Sequence, residues 1–97
     1  MALSKQIVQK VWEKGRVDPG QDPDVWRKDE CGAWVKRSHY GNRNSEFGWE
    51  IDYITAGGSE DLTNLRVLQW QNYLAGGVGK AICKVTADDG DIRNKVK

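Results

Sequence analysis

Residues 48–75, GWEIDYITAGGSEDLTNLRVLQWQNYLA, constrain the fold more than any other part of the chain. From 49 to 54 the residues alternate. Trp49, Ile51 and Tyr53 fall on one face and Glu50, Asp52 and Ile54 on the other, which is the period of a strand. Gly57-Gly58 supplies the backbone freedom a tight return needs. Leu65, Val67 and Leu68 can then pair back, and residues 69–75 have room for two helical turns before Gly76-Gly77 stops them. The order predicts a β-hairpin running into a helix, with the rest of the chain wrapped around it.

The remainder has to fit one domain, 1–97, because 97 residues bury only a modest core. Five Trp help, since each brings a large apolar area. A hydrophobic content of 38% with 30% charged residues excludes global disorder. The net charge of +1 demands no polyanionic partner, so any nucleic-acid contact must rest on a local cluster. Cys31 and Cys83 cannot make a four-ligand zinc site and form no Cys-x-x-Cys. A disulfide between them is one reading; two free thiols in a reducing cytosol is the expected one. With no long apolar run and no signal-peptide core at the start, a cytoplasmic protein without a membrane partner is expected.

Around the central stretch, Ser4 caps a helix over 4–14 whose apolar stripe is Ile7, Val8, Val11 and Trp12, ended by Gly15. Residues 16–24 are turn chemistry. Asp18, Asp22 and Asp24 lack the spacing of a calcium loop. Residues 26–30, WRKDE, read as an exposed charged turn, and 32–37 as a strand. The polar loop 38–45 follows. Lys36, Arg37, Arg43 and His39 gather there, and no acidic residue lies between Val35 and Ser45. That composition suits either a solvated loop or phosphate contacts. A last strand is expected over 79–86, then an acidic turn and a basic tail that frays. The fold class is therefore α+β: an N-terminal helix, a small antiparallel sheet, the hairpin–helix core over 48–76, and a C-terminal strand and tail over 79–97.

Asp52-Tyr53-Ile54, Gly57-Gly58, Asn64-Leu65 and Leu68 resemble the ββα-metal core of HNH endonucleases. Upstream, Trp26-Arg27-Lys28-Asp29, Cys31-Gly32, Tyr40-Gly41-Asn42 and Gly48-Trp49-Glu50 are similar to small bacterial members of that family. The resemblance implies a metal-dependent phosphodiesterase. Its strand-end Asp holds the metal, the next residue is a His base, an Asn braces the hairpin loop, and the helix gives a second ligand. Such chemistry needs a divalent ion to stabilise developing charge and a neutral imidazole to take a proton from water.

Asp52 stands at the first ligand position and Asn64 at the brace. The base position is Tyr53, and a phenol is a poor proton acceptor at neutral pH, since an unperturbed one titrates near ~10. General-base help is worth ~10²–10⁴ in rate, so its loss is severe. The helix ligand position falls on Tyr73, a poor ligand for a hard cation. Asn72 beside it is turned by about 100° and cannot substitute. The expected Pro after the strand and Lys after the helix are replaced by Ala56 and Gly76. His39, the one histidine, is a candidate for a relocated base, and Asp52 is equally readable as a surface carboxylate paired with Arg37 or Arg66.

The expected function is thus a catalytically degenerate HNH-like domain. It would bind duplex nucleic acid through Lys36, Arg37, Arg43 and Arg66, with Lys80 or Lys84 adding to them. A protein-interaction or inhibitory pseudo-nuclease module, with Tyr53 and Tyr73 as contact residues, is the first alternative. A weak metal-dependent endonuclease is the second. No cofactor is expected, and Mg²⁺ or Mn²⁺ enters only with residual activity.

Overall fold

A computed structural model describes residues 3–97. The protein is α+β, with two short helices and three two-stranded antiparallel ribbons. The first helix, α1 (Lys5–Trp12), is shorter than the expected 4–14: Ser4 is its cap, the Ser4 hydroxyl accepting from the Ile7 amide at 3.2 Å, and Glu13 closes it. Its apolar stripe buries Val11 and Trp12 completely, with Ile7 and Val8 half-buried beside them.

Strands β3 (Trp49–Tyr53) and β4 (Leu65–Gln69) pair in the register Trp49↔Gln69, Ile51↔Val67, Tyr53↔Leu65. Directly paired residues share a face. Trp49, Ile51, Leu65 and Val67 therefore meet α1 in the main core, where the Trp12 and Trp49 ring centroids lie 5.4 Å apart. The ribbon runs straight into the second helix, α2 (Trp70–Gly76). Gln69 caps that helix, its side-chain oxygen accepting from the Gln71 and Asn72 amides, and Gly77 at φ 72° ends it in a conformation that disfavours a side chain. Gly48 begins the ribbon because nothing larger fits: a Cβ there would stand 1.7 Å from the Asn42 carbonyl oxygen.

Three sequence expectations fail in the outer layers. Residues 26–30 are not an exposed turn: Trp26–Lys28 is strand β1, paired with β2 (Trp34–Lys36), and Asp29 is buried. The expected strand over 79–86 is reduced to β5 (Val85–Ala87), because the Lys84 and Val85 amides are taken by the Asn72 side chain and not by a neighbouring strand. The tail does not fray. Asn94–Val96 forms strand β6 against β5, and the Asn94 side chain bonds both the amide and the carbonyl of Trp34, as a strand would.

The cysteines also depart from expectation. Cys31 and Cys83 form a disulfide that ties the β1–β2 turn to the segment before β5. Hydrogen bonds from Thr86 Oγ1 to the Cys31 carbonyl and from the Ala87 amide to the Gly32 carbonyl follow the same seam. Among the described residues no helix is long and apolar enough to cross a membrane.

Candidate functional site

The hairpin–helix junction brings together Asp52, Arg66 and the segment after α2. Asp52 and Arg66 are cross-strand partners, so their side chains leave the ribbon on the same face. Arg66 grips one carboxylate oxygen with both Nε, at 2.9 Å, and a terminal nitrogen, at 2.7 Å. The other oxygen accepts from the Gly79 amide at 3.2 Å. Asp52 is fully buried, so it is not a surface carboxylate; Arg66 also reaches Glu30 at 3.3 Å. A carboxylate held this way is neutralised by the guanidinium on one oxygen, is bonded to the backbone through the other, and is turned away from solvent. Moreover, the described residues hold no group of three His, Cys, Asp or Glu able to share a cation. The residues present therefore do not fit the divalent metal that the HNH resemblance implies, and no chemical step is routed through one.

The neighbouring positions add no reactive group. Tyr53 faces the α1 side, half-buried against the main core, one residue from Asp52 and on the opposite face of the strand. Tyr73 lies on α2, half-buried. His39 does not reach Asp52: its Nδ1 is 2.7 Å from the Ser45 hydroxyl. Its neighbour Tyr40 bridges to Trp49, three residues before Asp52, or about 10 Å along a strand. Asn64 is placed where a brace is needed. Its side-chain oxygen accepts from the Thr55 amide at 2.9 Å, and its nitrogen donates to the Ser59 carbonyl at 2.8 Å, so it holds the long loop 54–64, which stands where the sequence suggested a tight return.

The basic residues separate into two kinds. Arg66 is 12% exposed at its side chain and committed to two carboxylates, which removes it from a phosphate-binding surface. Lys36, Arg37 and Arg43 remain on the outside. Lys36 Nζ lies 5.4 Å above the Trp26 ring, Arg37 Nε donates to Gln9, and Arg43 meets Glu50 at 3.3 Å with half its side chain in solvent. Such exposed contacts are weak and leave the charge available. Lys80 and Lys84, which follow α2 in the chain, are exposed.

Sequence reasoning missed the polar centre of the molecule. Asp29, 1% exposed, accepts four hydrogen bonds: from the Cys31 and Ala33 amides on one oxygen and from the Gln69 amide and Asn72 Nδ2 on the other, all between 2.8 and 3.0 Å. Burial pushes its pKa above the ordinary carboxylate value, opposed by these donors. Asn72, fully buried, continues the chain of bonds to the Val85 carbonyl and to the Lys84 and Val85 amides. Every polar atom of Asp29 and Asn72 is occupied by the fold itself, so this network holds elements together and offers nothing to a substrate. The only sequence signal was an Asp two residues before a Cys-Gly turn, an arrangement that favours side-chain-to-backbone bonding. Compared with known proteins, the chain matches no protein-family model, no curated protein and no solved structure.

Proposed function

We propose that the chain is a catalytically silent HNH-like domain that holds nucleic acid by its phosphates, through Lys36, Arg37 and Arg43. The observation that carries this reading is the closed Asp52–Arg66 pair at the position where the resemblance expects an open metal ligand. A hairpin feeding a helix is kept, a phenol stands in the base position, and the ligand carboxylate is bonded inward. Nucleic acid is favoured by the run from Val35 to Ser45, which carries three exposed or half-exposed cations and no carboxylate. Arg66 has no part in it.

Duplex DNA binding measured by fluorescence anisotropy tests the reading. Three phosphate contacts predict a log Kd against log salt slope of about 2.7, at ~0.9 per neutralised phosphate. The Arg37→Gln/Arg43→Gln variant should reduce that slope by about 2. Absence of binding at low salt sinks the proposal.

A second reading, a protein-interaction or inhibitory module, is favoured by a specific surface. Leu74 at the end of α2, and Val78 and Ile82 after it, are 50%, 48% and 53% exposed. Three large aliphatic side chains close in sequence and half in water would suit contact with a protein. Capture of one stoichiometric protein partner, lost on Leu74→Lys, would favour this reading over the first. The Cys31–Cys83 disulfide supports an oxidising compartment over the cytoplasm.

A further inference from the structure

A cleft of about 500 Å³ opens between α1 and the turn that follows β2. Val8 and Tyr40 line it in front of the buried Trp12 and Trp49, and Lys5 and Arg37 line it too. No carboxylate lines it among the described residues. The cleft is of the size and mostly apolar character that small flat ligands occupy, and its charged groups are all cationic. Trp12 and Trp49 are closed off from solvent as whole residues, while Tyr40 keeps 41% of its surface exposed with its ring 4.8 Å from that of Trp49. The phenol of Tyr40 has its pKa raised, first by burial and then by Glu50 and Tyr53, so it stays a neutral aromatic surface across the physiological range.

We infer that this cleft takes one unstacked base of a single strand of DNA, with the base against Tyr40 and the adjoining phosphate on Arg37 and Lys5. The occupant follows from the pairing of chemistries. An aromatic, apolar wall beside two cations suits a ligand that is flat and apolar at one end and anionic at the other. A strand supplies both at fixed spacing, and aromatic stacking with backbone cations is the general mode of single-strand binding. Arg37 belongs at once to this cleft and to the cationic run that contacts phosphates, so the inference rests on the proposed function and deepens it. It adds what that reading lacks, a reason for a single strand to be held more tightly than a duplex.

The test compares four probes on the full chain by anisotropy, with tryptophan fluorescence as a second readout: an eight-nucleotide oligo-dT, the same strand with abasic sites, a duplex of equal charge, and thymidine monophosphate. The oligo-dT should bind about tenfold or more tighter than its abasic counterpart and should change the tryptophan emission, because Trp49 packs directly behind the Tyr40 ring. Tyr40→Leu should bring the two strands to equal affinity. Equal binding of all three polymers by wild-type protein overturns the cleft while leaving the phosphate reading intact. Binding of none of them removes both. Thymidine monophosphate bound as tightly as the strand assigns the cleft to a free nucleotide and overturns the strand. Since the abasic comparison uses wild-type protein, the inference stays testable even if Tyr40→Leu fails to fold.

Discussion

Replacing Asp29 by Asn lowers the stability of the fold by about 2–6 kcal/mol, although the two side chains have nearly the same shape. Each carboxylate oxygen of Asp29 receives two N–H groups. The amide of an Asn turns an NH₂ toward one of those pairs, whichever way it is rotated. If it faces the Cys31 and Ala33 amides, the β1–β2 turn loses its anchor. If it faces Gln69 and Asn72, the start of α2 loses its own. Asn72 cannot rotate to compensate, because its oxygen already accepts from Lys84 and Val85. Two buried donors are left without partners, at about 1–3 kcal/mol each. At roughly 4–8 °C per kcal/mol for a domain of this size, the melting temperature should fall by at least about 8 °C. Thermal denaturation followed by circular dichroism checks this, and a fall of only a few degrees would show that the network carries little of the stability.

Reducing the disulfide has an effect of similar size. Cys31 and Cys83 are 52 residues apart, so the crosslink removes a large loop from the unfolded ensemble. Loop-closure entropy for a span of that length gives about 4 kcal/mol. The seam it closes is short: β5 and β6 have three residues each and lean on the β1–β2 turn through Thr86, Ala87 and Asn94. The Cys31→Ser/Cys83→Ser variant should therefore lose about 2–4 kcal/mol in urea denaturation, with amide exchange rising first over residues 80–97. Asp29 and Cys31 share a hydrogen bond, so combining this change with Asp29→Asn should give less than the sum of the two. Unchanged stability after reduction would mean that polar contacts alone hold the C-terminal ribbon.

The hairpin and its helix were legible in the sequence because their signals are local. Alternation fixes the faces of β3, and the glycines at 57, 58, 76 and 77 punctuate the return and the helix end. Of the two partners the sequence offered for Asp52, Arg37 and Arg66, the strand register selects Arg66, which it places directly opposite. What was not legible depends on residues far apart in the chain. Two of the four donors to Asp29 lie 40 and 43 residues away, so WRKDE read as a solvated turn. Asn94 completes the edge of Trp34 from 60 residues away, a role that no local pattern announces in a basic tail. Burial of Asp52 was hidden for the same reason. Alternation marks the Asp52 face as polar, but Gly79 and Arg66 close over it.

Asp52 is bonded inward to Arg66 and Gly79 and does not serve a metal. Titration of the protein with Mn²⁺, read as paramagnetic broadening of backbone amide signals, tests this at the residue concerned. The signals of Asp52, Tyr53 and Gly79 should broaden no more than those of the exposed aspartates at 88, 89 and 91. Selective broadening centred on Asp52, together with Mn²⁺-dependent nicking of plasmid DNA that Asp52→Ala abolishes, would contradict it.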